Sequence, residues 1–239
     1  MADRNRLDEA EIRRFLTAEA PVREIEIHEL VDSTNNRAKQ LAAAGAPHGT
    51  LVAAEAQTGG RGRMGRSFFS PPGAGIYLSF ILRPDCAPEQ AAMLTSLMAA
   101  AAARAVENLT GADVKIKWVN DLYLGGRKIC GILCEAGLGA EAGTVDYVVA
   151  GIGINVNRMV FPPELRDIAT SIGNECGTEP DRNRLAAEIA NQIGVLYPRL
   201  ETGEFLAECR RRSNVIGREV LVIEGENRYP ACELVIDEV

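Results

Sequence analysis

The stretch Val114-Lys115-Ile116-Lys117-Trp118-Val119-Asn120-Asp121-Leu122-Tyr123-Leu124-Gly125-Gly126-Arg127-Lys128-Ile129-Cys130-Gly131-Ile132-Leu133-Cys134-Glu135 decides what kind of sheet this chain builds. Residues 114–118 alternate polar and apolar, the period of a half-buried strand. Gly125-Gly126 then reads as a tight turn between strands at 122–124 and 128–135. So short a turn returns the chain antiparallel, which places Lys117, Asn120, Asp121 and Lys128 near one another.

Working outward, residues 145–156 read as a third strand carrying Gly151-Ile152-Gly153-Ile154-Asn155. Glycine at alternate positions leaves one face of a strand without side chains, which makes room for a ligand or another backbone. Cys130 and Cys134 are an even number apart, share a face and read as core. Upstream, residues 50–56 and the apolar run 76–82 read as strands, and Ile25 and Ile27 alternate with charge as another. Helical spacing marks residues 7–20, about 37–44, 88–109, 181–200 with Asp181 as N-cap, and 203–212. Arg210-Arg211-Arg212 is expected to be the solvated end of that last helix. Residues 161–180 read as irregular, with a short ordered piece near Ala169-Thr170-Ser171-Ile172. Strands at 220–223 and 234–236, joined by a turn over 224–227, are too few to stand alone. The expected class is α+β, a mixed, largely antiparallel sheet flanked by helices, with residues 1–212 as the main domain and 213–239 as a small β segment.

Composition narrows the function. With 239 residues and 46% hydrophobic content the chain can bury a full core, and a net charge of −7 disfavours a general nucleic-acid binder. The six cysteines lack paired CxxC spacing, and neither a signal peptide nor a membrane-spanning run is evident, so a cytoplasmic protein with reduced thiols is expected.

Against that acidic background, Gly59-Gly60-Arg61-Gly62-Arg63-Met64-Gly65-Arg66 concentrates four glycines and three arginines, a flexible backbone bearing forked donors suited to phosphate and carboxylate. It is not a phosphate-binding P-loop, because no Gly-Lys-Ser/Thr follows, nor a dinucleotide fingerprint, because Ser67-Phe68-Phe69-Ser70-Pro71-Pro72 follows in place of a helix. Taken locally, it reads equally as a solvated loop. Asp32-Ser33-Thr34-Asn35, between a strand and a helix, reads locally as an N-cap.

Asp32-Ser33-Thr34-Asn35, Gly60-Arg61-Gly62-Arg63-Met64-Gly65-Arg66, Lys117-Trp118-Val119-Asn120-Asp121, Arg127-Lys128-Ile129-Cys130-Gly131-Ile132-Leu133 and Gly151-Ile152-Gly153-Ile154-Asn155 occur in this order. With all five, the chain resembles the biotin protein ligases over about residues 25–236. That resemblance implies a class II synthetase-like catalytic domain, ending in a small SH3-like barrel of which only the first strands are expected here. It implies that biotin and MgATP give biotinyl-5′-AMP, whose biotin then passes to a lysine of a biotin carboxyl carrier protein. By resemblance, Ser33, Thr34, Asn35, Gln57, Gly60, Arg61, Gly62, Arg63, Lys128 and Gly131 bind biotin. Arg63, Arg66, Phe68, Asn120, Lys128 and Asn155 serve ATP, with Phe68 as a stacking face for adenine where the family often has Trp. Arg63, Lys117, Asp121 and Lys128 form the charged centre, Asp121 either binding metal or helping to deprotonate the incoming lysine. The protein ligands of Mg²⁺ are not named by the resemblance.

The loop is expected to be mobile when empty and to order over the adenylate. About two dozen residues precede the matched core, fewer than a winged-helix module needs, so a monofunctional type without DNA binding is expected. A homodimer through edge strands is a further expectation. The rival readings are a lipoate or octanoate ligase or transferase of the same fold, and a non-catalytic biotin-binding regulator.

Overall fold

The computed structural model describes residues 6–139, 144–224 and 227–232. In chain order its elements are α1 (Glu9–Phe15), β1 (Glu24–His28), α2 (Thr34–Ala43), β2 (Thr50–Ala54), β3 (Gly75–Leu82), α3 (Pro88–Ala92), α4 (Leu94–Thr110), β4 (Lys115–Lys117), β5 (Asp121–Leu124), β6 (Arg127–Leu138), β7 (Val145–Asn155), α5 (Ile172–Cys176), α6 (Arg182–Leu196), α7 (Phe205–Arg212), β8 (Glu219–Glu224) and β9 (Asn227–Cys232). Seven strands form one sheet in the order β1-β2-β3-β7-β6-β5-β4. Only β1 and β2 run parallel; every other neighbouring pair is antiparallel. This is the mixed, largely antiparallel sheet expected, and Gly125 and Gly126 turn at φ 58° and 82° between β5 and β6.

Helices cover both faces. On one, α4 and α6 pack against the sheet, and Ala99 to Ala103 of α4 are wholly buried, their small side chains letting helix and strands approach closely. On the other, α2 lays Ala38 and Ala42 against Val52, Ile81 and Val149. The strands β2 and β3 are buried along their whole length, as their continuous apolar runs require.

Register sorts the side chains. Tyr77, Gly153, Gly131 and Asp121 lie opposite one another across β3, β7, β6 and β5. One step along, Ser79, Gly151 and Leu133 form a second row. Residues in register share a face, so these rows look toward α2 while Ile152, Ile154, Cys130 and Ile132 look into the main core.

Several boundaries differ from the sequence reading. The helix α2 begins at Thr34, ahead of Arg37. Next, α6 stops at Leu196 and tightens into a 3₁₀ turn at Tyr197–Arg199, because Pro198 has no N–H to give an α-helical bond. Its N-cap is as expected, Asp181 accepting from the Arg184 amide at 2.9 Å. Arg212 corrects the reading of a solvated basic helix end: it is 2% exposed and paired with Glu107 of α4 and Glu208 of α7. The hairpin of β8 and β9 ends the described chain, and the strand expected at 234–236 lies outside the described residues.

Candidate functional site

The site begins where β1 hands over to α2. Ser33 occupies the N-cap position of α2 but makes no side-chain cap bond, while Ser33, Thr34 and Asn35 are all almost fully buried. Gln57, just past β2, binds across to them. Its Oε1 accepts from the Thr34 amide at 2.9 Å and lies 3.2 Å from the Thr34 hydroxyl, and its Nε2 donates to Ser70 Oγ at 2.9 Å. These groups line an inner pocket together with Arg61, Phe68, Tyr77, Gly131, Gly151 and Gly153, with about 20 Å³ of free space.

The glycine rows are the floor of that pocket, and they are already in use. A methyl group at Gly151 would lie 2.1 Å from Asn35 Oδ1, and one at Gly153 would lie 2.7 Å from the Phe68 ring. The room expected for a ligand or another backbone is thus taken here by the side chains of Asn35 and Phe68. Phe68 also meets the Tyr77 ring edge-on at 6.4 Å.

The pocket adjoins an outer cleft of about 470 Å³, the two sharing Arg61, Phe68 and Gly131 in their walls. Its lining brings together Arg61, Gly62, Arg63, Arg66, Phe68, Lys117, Asn120, Asp121, Lys128, Gly131 and Asn155 from four separate parts of the chain. Lys128 Nζ sits 2.6 Å from Asp121 Oδ1, Asn120 Nδ2 donates to that same oxygen at 3.0 Å, and Arg63 reaches Asn120 Oδ1 at 3.4 Å. Lys117 stands over the Tyr123 ring at 6.0 Å. Asn155 is 4% exposed; its Nδ2 donates to the Thr170 carbonyl, and its Oδ1 has no hydrogen-bond partner among the described residues. A buried amide oxygen left so is an acceptor in want of a donor. Gly60 lines neither space: a side chain there would meet the Phe68 carbonyl at 2.5 Å, so it serves the path of the loop.

The Gly/Arg segment is a small hairpin. Gly62 donates to the Arg66 carbonyl at 2.7 Å and Phe68 to the Gly60 carbonyl at 2.9 Å, around a 3₁₀ turn at Arg63–Gly65 whose Met64 has φ 56° and is 91% exposed.

Two contributors were missed by sequence reasoning. Glu135 receives Asn35 Nδ2 at 2.9 Å, Lys39 at 3.0 Å and Arg61 at 3.1 Å. Burial alone would raise its carboxyl, but the hydrogen bonds from Asn35 and Lys39 and the charges of Lys39 and Arg61 prevail and hold it below the ordinary value. Ser79, fully buried, lies 2.6 Å from Asn35 Oδ1 and 2.9 Å from Thr34 Oγ1. A serine in the otherwise apolar and aromatic run 76–82 was its one signal in the sequence. The cysteines have no part here. Burial pushes the Cys134 thiol up to about 12 and Cys130 higher still, and no cluster of three metal-binding side chains occurs among the described residues.

The chain is similar to known proteins in sequence and in fold. The Biotin/lipoate A/B protein ligase family matches residues 27–155. The biotin–[acetyl-CoA-carboxylase] ligase of Mycobacterium tuberculosis is 34% identical over 234 residues, covering 93% of this chain and 85% of that protein. The bifunctional ligase/repressor BirA of Bacillus subtilis is 44% identical over 179 residues, covering 74% of this chain and 54% of its own length. The chain thus spans about half the length of the Bacillus relatives it matches. Among solved structures, the biotin protein ligase from Aquifex aeolicus in complex with biotin and ATP superposes with a TM-score of 0.75 at 28% identity, over 90% of this chain and 89% of that one.

Proposed function

The chain belongs to the Biotin/lipoate A/B protein ligase family, and on that premise we propose that it activates biotin as biotinyl-5′-AMP and passes the biotinyl group to a lysine of a carrier domain. The observation that carries this reading is the adjacency of two unlike spaces. A pocket of paired amides and hydroxyls shares Arg61, Phe68 and Gly131 with a cleft lined by Arg61, Arg63, Arg66, Lys117 and Lys128. Joining a carboxylate to a phosphate brings two anions together, which calls for fixed cations and positioning more than for a covalent enzyme group.

In the first step a biotin carboxylate oxygen attacks the α-phosphorus, the new C–O–P linkage forms, and pyrophosphate leaves with the electron pair of the broken P–O bond. Thr34 and Gln57, with Ser33 and Asn35 behind them, engage the ureido ring; Arg61 and Arg63 hold the chain and the new linkage, and Lys128 faces the carboxyl and α-phosphate. Arg66, Asn120 and Asn155 take the nucleotide, with the unpaired Asn155 Oδ1 as acceptor. Phe68 borders both spaces, so its ring leaves the glycine floor for biotin and becomes available to adenine. In the second step the lysine amine attacks the acyl carbon, AMP departs, and the amine's proton is lost, with Asp121 the carboxylate nearest the centre.

Magnesium fits as a companion of the nucleotide: a hard cation commonly takes one or two carboxylates plus phosphate oxygens, and Asp121 is the carboxylate in the cleft. Its contribution when bound is to neutralise phosphate charge. No helix among the described residues is long and apolar enough to cross a membrane.

Biotin-dependent exchange of pyrophosphate into ATP tests the proposal, with lipoate and octanoate as rivals. Exchange with biotin alone supports it; exchange only with lipoate or octanoate, or biotin binding without exchange, overturns it.

A further inference from the structure

Behind the pocket wall runs a line of hydrogen bonds that ends on Thr34, and the direction of every proton in it can be worked out. Asn35 Nδ2 faces the Leu133 carbonyl at 3.1 Å and the Glu135 carboxylate at 2.9 Å. Both are acceptors only, so the amide nitrogen must stay on that side and Oδ1 must face the other way. Oδ1 there meets Ser79 Oγ at 2.6 Å. An amide oxygen cannot donate, so the single Ser79 proton is committed to Asn35. Toward Thr34, 2.9 Å away, Ser79 is left with lone pairs. The Thr34 hydroxyl proton therefore goes to Ser79, the nearer acceptor at 2.9 Å, and not to Gln57 Oε1 at 3.2 Å, which the Thr34 amide already engages. With that proton turned inward, Thr34 shows the pocket a lone pair.

We propose that Ser79, a fully buried residue that lines neither space, is a specificity-determining positioning residue. By fixing Thr34 as an acceptor it makes the inner pocket select a ligand that presents an N–H there and reject an isostere that presents oxygen. This rests on the reading above of the inner pocket as the site of biotin's cyclic urea. The selectivity has a physical cause: a ring oxygen opposite Thr34 would lose one hydrogen bond and set lone pair against lone pair in a buried place, which costs more than loss of contact alone.

The test uses biotin and its two cyclic carbamate isosteres, each ureido N–H replaced in turn by oxygen, with affinities measured by calorimetry. The wild-type protein is expected to bind one isostere about 10- to 100-fold more weakly than biotin. In Ser79→Ala the nearer acceptor is gone and only Gln57 Oε1, 3.2 Å away and already engaged by the Thr34 amide, still competes with the ligand for the Thr34 proton, so the ratio is expected to fall to about threefold or less, even where affinity for biotin itself drops. Ser79→Thr, which keeps the hydroxyl, restores the ratio. A merely structural role would weaken biotin and isosteres together and leave the ratio unchanged, and that outcome overturns the inference. So does a wild-type protein that binds both isosteres as well as biotin, a result that needs no variant to fold. A wild-type protein that binds no biotin at all removes the functional reading instead, so the two failures are told apart.

Discussion

Lys128 Nζ and Asp121 Oδ1 lie 2.6 Å apart, on adjacent strands that the Gly125-Gly126 turn folds together. The pair sits in the outer cleft, with Asn120 on the same carboxylate. Its role is to keep the lysine from swinging free on its four-carbon stem. Asp121→Asn removes the charge that anchors Lys128 and keeps the shape. Biotin-dependent pyrophosphate exchange is expected to fall about tenfold or more, and by a larger factor than the affinity for biotin, since Lys128 faces the carboxyl in the ground state but its placement matters most as the two anions are joined. Exchange at the wild-type rate would show that the pair is dispensable.

Phe68 makes a second prediction about rate. With about 20 Å³ free in the inner pocket and the ring lying over Gly153, a bicyclic ligand cannot enter until the ring moves. The observed association rate for biotin in stopped flow should therefore level off at high concentration, limited by the ring's departure. Phe68→Ala should abolish the plateau. A linear dependence in the wild-type protein would mean that Phe68 does not obstruct entry.

These two relationships differ in how far the sequence disclosed them. The hairpin was legible because Gly125-Gly126 between two alternating segments has few other uses, and it carried Lys117, Asn120, Asp121 and Lys128 into one region. The glycine rows were legible as vacant space, but what fills that space depends on register between β3, β7 and β6, which no local pattern states. Ser79 and Glu135 were visible only as polar residues in apolar strands, and Asn35, which joins them, is 44 and 100 residues away from each. Arg212 was read as solvated because its i, i+4 partner Glu208 is local but its other partner, Glu107, belongs to a different helix.

The hairpin of Gly60 to Phe68 is held by few bonds and its tip at Met64 is exposed, so it offers Arg61, Arg63 and Arg66 to trypsin. Biotin with ATP brings an anion to a segment in which Arg61 already meets Glu135, and is expected to protect it from trypsin and slow its hydrogen exchange. Arg63→Ala should speed escape of the adenylate more than it slows its formation, as read by quench and chase. Equal cleavage with and without ligands, or unchanged release from the variant, would contradict this role for the loop.

Glu135 predicts a pH dependence whose sign is fixed. Its carboxyl is held below the ordinary value of 4.5 in the folded protein, so the native state favours the ionised form. The stability this contributes is fully present above pH 4.5 and is lost as pH falls through the depressed folded value. Glu135→Gln should accordingly be less stable than wild type at neutral pH, and the difference should shrink in acid. Thermal unfolding of both proteins at several pH values would check it; a gap that widens in acid would reverse the assignment.

Arg212 gives the last prediction, on stability alone. It is 2% exposed, its Nε donates to Glu208 Oε1 at 2.9 Å, its NH1 reaches the Val114 carbonyl at 3.3 Å, and its NH2 pairs with Glu107. One guanidinium thus ties α7 to α4 and to the chain just before β4, and so supports the strand that carries Lys117. Truncation takes Arg212 from both carboxylates, but Glu208 keeps Arg104 and Glu107 is 38% exposed, so the cost is that of lost charged hydrogen bonds, about 1.5–3 kcal/mol. Arg212→Ala should lose about that much in urea unfolding. Arg212→Met with Glu107→Gln, which removes charge from both sides, keeps the packing volume and leaves Glu208 on Arg104, should recover a large part of it. If the single variant loses less than about 1 kcal/mol, the range of an exposed pair, then Arg212 behaves as the solvated helix end that its sequence context suggested.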